Sequence, residues 1–282
     1  MKNFYSYILV FIFALAPAGA AFATPNYTGE SEAPPSLEEL QEIPRENILE
    51  IPENNLESAL PYDIRFEAIK EAAVSYGARG GLAWRTYHIR LELDHRASYM
   101  DQVFDFNSLL IPAPSGLLIE PPVVSDAENA MIINGGGREA ALADRVINIT
   151  RNARIVSIGK SWRNYLEREW GDVTPPPDIL RPNDKKERAK WREWVRQGWK
   201  QGIEQADEIF QFDLNQLVAD YRGMVRYRML LAQGMISPPY ALQVYRGVTG
   251  GGNEMRVGDR AVEITGMPEL VPSAEKWQPA SR

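Results

Sequence analysis

The chain has 282 residues, 44% hydrophobic and 24% charged, with a formal net charge of −7; this is a globular composition large enough for one big domain or two small ones. It contains no cysteine, which excludes a disulfide framework, a thiolate nucleophile, Cys-ligated zinc and an iron–sulfur centre. The charge is uneven: residues 24–60 carry nine Glu against Arg45 alone, whereas residues 61–282 hold equal numbers of acidic and basic residues. A neutral body offers no electrostatic footprint for nucleic acid.

Lys2 precedes an apolar run from Phe4 to Ala16, which Pro17 ends, and Ala21-Phe22-Ala23 follows as a small-x-small sequence. This order predicts a secretory signal peptide over residues 1–23, cleaved between Ala23 and Thr24. The run is too short for a spanning helix, which needs roughly 20 apolar residues. The protein is expected to work outside the cytoplasm, in a bacterial periplasm, and without an acylated cysteine. Residues 24–60 alternate Glu with Pro25, Pro34, Pro35, Pro44 and Pro52. They are expected to form an acidic flexible arm without a core of its own, either a spacer or a segment that orders on a neighbouring subunit.

From Pro61 the periodicity becomes helical. Phe66, Ile69, Ala73 and Tyr76 predict a helix over 62–76 with Gly77 as its stop. Residues 82–93 fit either a helix or a strand, and the helical reading is preferred. Residues 103–124 read as short strands and extended loops, 127–133 as a further strand or short helix, and Asn134-Gly135-Gly136-Gly137 as a turn. Val146–Ile149 and Ala153–Ile158 read as a hairpin, and Ser161–Trp170 as a helix capped by Ser161. Pro175-Pro176-Pro177 and Pro182 enforce an extended loop. Trp191, Val195, Trp199, Ile203, Ala206 and Phe210 form a helical stripe, followed by a second helix over about 213–233 that is either continuous with the first or antiparallel to it. Residues 242–265 read as a three-stranded meander, with turns at Thr249–Asn253 and Gly258-Asp259. The expected fold class is α+β: a single mixed domain with long helices at 184–233 and a C-terminal antiparallel β-meander.

The residues offer little chemistry. His88 and His95 share a helix face near Glu92 and Asp94, but a metal site wants three or four converging ligands. Gly159-Lys160-Ser161 lacks the upstream glycine of a phosphate-binding loop, since Arg154 stands there. Asp101 and Asp105 form a carboxylate pair of the kind any such composition provides. Trp191, Trp194 and Trp199 could form a sugar platform, but Trp191 and Trp199 lie on the apolar stripe, which favours core packing. No catalytic residue, cofactor or metal site is expected.

Several blocks occur in order along the body: Tyr76-Gly77-Ala78-Arg79-Gly80-Gly81-Leu82-Ala83-Trp84-Arg85, Val103-Phe104-Asp105-Phe106, Leu118-Ile119-Glu120-Pro121-Pro122-Val123, Gly198-Trp199 with Gln205-Ala206-Asp207, Gly223-Met224-Val225-Arg226-Tyr227-Arg228, and Arg246-Gly247-Val248-Thr249-Gly250-Gly251-Gly252 with Gly258-Asp259-Arg260. Together they resemble the DotC/TraI family of type IVB (Dot/Icm-type) secretion and conjugative transfer systems, with residues 61–282 as a DotC-like domain. The resemblance implies a structural, non-enzymatic subunit of the outer-membrane core complex. Its implied partners are a DotH-like secretin-like protein and a DotD-like lipoprotein in a multimeric assembly. Well-known members carry a cysteine at the mature N-terminus; here Thr24 stands there, so attachment to the outer membrane is expected through protein partners. The competing reading is a periplasmic cell-wall glycan-binding protein or hydrolase.

Overall fold

The structure is a computed structural model that describes residues 33–44, 62–134 and 139–278; its elements lie in one unit, Pro34–Arg282. The expected cleavage site at Ala23 and Thr24, and the Gly135–Gly137 turn, lie outside the described residues. The fold is α+β, built on two long helices with antiparallel strands between and after them.

Helix α1 (Leu37–Gln41) is a single turn closed by a capping box, in which the Ser36 hydroxyl accepts from the Glu39 amide and the Glu39 carboxylate accepts from the Ser36 amide. Helix α2 (Tyr62–His95) runs straight through Gly77, Gly80 and Gly81. Three interior glycines cost an isolated helix about 3 kcal/mol relative to alanine. What offsets this is helix α5 (Lys185–Ala232), begun by Asp184, whose carboxylate accepts from the Lys186 and Glu187 amides at 2.7 and 2.8 Å. At 48 residues α5 is about 72 Å long.

The two helices run parallel, bracketed by Arg65–Glu187 at one end and Arg85–Asp207 at the other. Between these pairs their backbones touch. A Cβ on Gly77 would stand 2.2 Å from the Val195 carbonyl oxygen, and one on Gly81 equally close to that of Trp199. Reciprocally, Cβ atoms on Gly198 and Gly202 would lie 2.0 Å from the carbonyl oxygens of Val74 and Ala78. Each helix thus presents a glycine pair four residues apart, the small-xxx-small spacing that lets backbones approach. Gly77 therefore does not stop the helix; it is the point where the partner lies closest. Residues 82–93 are helical, as preferred.

This contact seats the first core: Leu40, Ile69, Ala73, Tyr76, Trp191, Trp194, Val195 and Trp199. Leu40 is fully buried against the bare face of Gly80, and the Trp191 indole donates to the Leu40 carbonyl at 3.1 Å. Within its described residues the acidic arm is therefore docked on its own chain rather than free, with Arg192 paired to Glu42 and Arg181 donating to the Pro44 carbonyl.

Helix α5 is continuous through Gln211–Asp213, where nothing in the sequence breaks a helix, and ends at Gln233 with Gly234 at φ +69°. Its second half carries the other two cores, one around Trp162, Leu217 and Met224 and one around Val124, Tyr227 and Leu230. After α3 (Ala97–Val103), strands β1 (Ile111–Pro112), β2 (Leu118–Glu120) and β5 (Arg154–Val156) form a three-stranded antiparallel sheet in the order β1-β2-β5. Strands β3 (Val123–Asn134) and β4 (Glu139–Arg151) form a separate ribbon, as do β6 (Tyr240–Gly251) and β7 (Glu254–Gly266).

Three further expectations change. Val146–Ile149 pairs with β3, and Arg154–Val156 with β2, so these segments are not a hairpin with each other. The helix expected over Ser161–Trp170 is only α4 (Arg163–Leu166). The chain leaves it at Glu167, and Arg168 then reaches Asp213 while Trp170 packs edge-on against Tyr87 at 5.1 Å. The C-terminal meander is a two-stranded ribbon. Gly258, at φ +74°, is not a turn but an unpaired residue in β7, inserted where the register steps from Gly247↔Asp259 to Val248↔Val257.

Replacing Gly198 by alanine should force the helices apart and cost about 3 kcal/mol of stability, whereas alanine at Gly171, which has open space around its Cβ position, should cost almost nothing. Urea unfolding of the two variants checks this.

Candidate functional site

At the junction of the helices with the strands, two nearly inaccessible carboxylates hold three cations. Glu120, at the end of β2, accepts from Arg154 at 2.6 and 2.8 Å and from Arg151 at 3.3 Å, with the Lys160 ammonium 4.0 Å away. Asp220 of α5 accepts from Arg151 at 2.8 Å, from the Tyr165 hydroxyl at 2.6 Å and from Gln216 at 3.2 Å. Arg151 closes β4 and bridges both carboxylates. Burial pushes the Tyr165 phenol well above its ordinary range, and the Asp220 carboxylate beside it adds to the shift. Burial also pulls the Lys160 ammonium down, against the attraction of Glu120. This network ties β2, β4, β5, α4 and α5 together, and its charges are occupied with one another.

The β3–β4 ribbon leaves this junction under further restraint. Gly223 of α5 lacks the Cβ that would stand 2.4 Å from Val123, so the base of β3 lies directly on the helix. Arg226 donates to the Val124 carbonyl at 2.6 Å. Beyond it, Arg145 grips Asp126 with two hydrogen bonds of 2.8 and 2.6 Å; these hold the carboxyl below its ordinary range. The β6–β7 ribbon is tethered at its base by the Ser115 hydroxyl, which donates to Gln243 at 2.7 Å from a residue at φ +62°. Its far end turns through Gly252-Asn253, with Gly252 at φ +64° supplying the first position of a type II′ turn.

Away from their bases both ribbons expose apolar side chains. Met131 and Leu142 face each other across β3–β4 at 58% and 77% exposure. Val248 and Val257 face each other across β6–β7, and Val257 and neighbouring Met255 are 73% and 72% exposed. Tyr240, Leu242, Val244 and Tyr245 are exposed along the same ribbon. Among the described residues each of these strands is also an edge, with no further strand on its outer side. The ribbons are the candidate interaction site.

The residues singled out for chemistry are dispersed. His88 and His95 each bond the backbone one turn earlier, with Nδ1 2.7 Å from the carbonyls of Trp84 and Leu91. Among the described residues no group of three or more potential ligands converges. Asp101 accepts from the buried Trp162 indole at 2.7 Å, while Asp105 accepts from the Ser108 amide at 3.2 Å. Trp191 and Trp199 are core residues, as the stripe implies, and Trp194, which is off the stripe, joins them. Lys160 belongs to the buried network. That network and the glycine pairs were overlooked in the sequence; the four-residue spacing of Gly77/Gly81 and Gly198/Gly202 was a readable signal, whereas the convergence of Glu120, Arg151 and Asp220 from three elements was not.

A family model described as "Type IV secretory system, conjugal DNA-protein transfer" (T4SS_TraI) matches residues 63–279. The chain belongs to the T4SS_TraI family. No curated protein matches it. T4SS_TraI membership makes it a type IV secretion component, associated with the cell envelope and assembling with other secretion proteins. The matched region begins at α2 and ends beyond β7, so it takes in the helix pair, the ionic junction and both ribbons. Among the described residues no helix is long and apolar enough to cross a membrane.

Changing Asp220 to Asn leaves Arg151 half-compensated. It should destabilise the protein toward the lower end of the roughly 3–5 kcal/mol seen on breaking buried pairs, because Glu120 still contacts Arg151. Changing Arg192 to Ala, which breaks only its exposed pair with Glu42, should cost under about 1 kcal/mol. Thermal unfolding of both variants measures the difference.

Proposed function

We propose that this protein is a non-catalytic structural subunit of the outer-membrane core complex of a type IVB secretion or conjugation system. In this reading residues 1–23 are a signal peptide removed between Ala23 and Thr24, residues 24–60 an acidic arm, and residues 61–282 a DotC-like domain in the periplasm. The subunit helps a DotH-like secretin-like protein take its place beside a DotD-like lipoprotein, and it reaches the outer membrane through these partners. The observation that carries the reading is the family match over residues 63–279. The chemistry agrees with it: the buried carboxylates Glu120 and Asp220 are spent on internal arginines, and large apolar side chains stand exposed on two ribbons. Such residues suit contacts between subunits.

The protein should co-purify from detergent-extracted envelopes with the other core components, begin at Thr24 on N-terminal sequencing, and take up no labelled fatty acid. Fractionation as a lone monomer would contradict the subunit role. Incorporated label would contradict the proposed N-terminus.

A further inference from the structure

The two ribbons match as two halves of one contact. Each pairs a strand of 12 residues with one of 13. Each carries its exposed apolar pair three residues from the end of its first strand: Met131 before Asn134, and Val248 before Gly251. On β6–β7, Val248, Val257 and Met255 share a face, because opposed residues and residues two apart point the same way; on β3–β4, Met131, Leu142 and Asp144 share a face for the same reason. A lone two-stranded ribbon is marginal in water, and among the described residues nothing covers Met131 and Leu142 or Val248, Met255 and Val257, all of which stand exposed.

Charge selects what covers them. On β3–β4, Arg145 is taken by Asp126 and lies opposite Glu128 on the other face, while Asp144, beside Met131 and Leu142, has no ion-pair partner among the described residues. On β6–β7, Arg256 is paired with Glu254 and Asp259 accepts from Thr249, while Arg246 and Arg260 have no ion-pair partner among the described residues. The remaining carboxylate, Glu263, sits toward the base, opposite Leu242. Packing like ribbons together would oppose carboxylate to carboxylate or guanidinium to guanidinium, which is unfavourable; packing unlike ribbons matches both signs.

Building on the subunit role proposed above, we infer that the β6–β7 ribbon of one copy packs face to face on the β3–β4 ribbon of the next copy of this chain, with Val248, Met255 and Val257 against Met131 and Leu142. Such a contact is heterologous, so each copy offers one donor and one acceptor ribbon, and repetition closes a ring or extends a filament.

The absence of native cysteine makes a clean test possible in the full-length protein within its own envelope. Leu142→Cys and Val257→Cys are introduced into two differently tagged copies, expressed together and oxidised. Both positions are highly exposed, so folding does not depend on them, and unchanged thermal unfolding verifies this. A disulfide-linked product carrying both tags is expected from the mixed pair, and a ladder of dimers, trimers and larger species from the double variant. Asp144→Lys should lower the yield; an undiminished yield contradicts the charge argument. Absence of the mixed product, or an equally efficient product from Val257→Cys alone, overturns the ribbon contact. Co-purification with the other core components, measured in the same cells, distinguishes this from failure of the subunit role: its persistence means that only the contact is wrong.

Discussion

The structure depends on the backbone contact between α2 and α5. Four glycines, two on each helix, remove the side chains that would hold the axes apart, and carbonyl oxygens of each helix occupy the space that a Cβ on the other would need. Close packing of this kind gives dense dispersion contacts and little tolerance for added volume. Around this seam the tryptophans of α5 stack against α2: Trp194 meets Phe66 edge-on at 4.9 Å, and Trp84 lies 5.8 Å from Trp199. Because the helices are parallel, the chain must return from His95 to Asp184 before α5 begins, and that return forms β1–β5 and α4.

The ionic junction fixes how this return meets α5. Its carboxylates come from β2 and α5, and its arginines from β4 and β5. A pair whose carboxylate is buried while its arginine stays partly exposed contributes modestly to net stability compared with a well-packed apolar alternative, but removing one member leaves the other uncompensated. Its service is therefore orientation: Arg151 and Arg226 fix the direction in which β3–β4 departs from the helix. Rigid support at the base and exposed apolar side chains toward the tip distinguish both ribbons from the rest of the surface.

Much of the fold was legible in the residues. The apolar stripe from Trp191 to Phe210 gave the long helix its face, and alternation gave the C-terminal strands. The family blocks were legible as well; they include Gly77, Gly81, Gly198 and Gly223 and the arginines Arg85 and Arg226, but not Gly202 or the junction's Arg151 and Arg154. What escaped local reading was set by tertiary contact. Gly77 stops an isolated helix but permits one pressed against Val195. Gly258-Asp259 has the composition of a turn, yet cross-strand pairing carries β7 past it. Ser161–Trp170 has helical periodicity, but Arg168 and Trp170 find better partners in Asp213 and Tyr87 than in a continued helix. The Pro- and Glu-rich composition around Leu40 hid a single leucine that completes the first core. The ribbon surfaces were visible only as strands, because exposure is a property of what the folded chain leaves uncovered.

The account holds that the helix pair is complete within one chain while the ribbons are completed by assembly. Hydrogen exchange on the assembled envelope complex, compared with the released subunit, tests this most directly. The amides of Val195–Leu230 should exchange equally slowly in both, while those of Val244–Val257, Met131–Asn134 and Glu139–Leu142 should be slow in the complex and fast in the released subunit. Ribbon amides that exchange equally fast in both states would contradict the account.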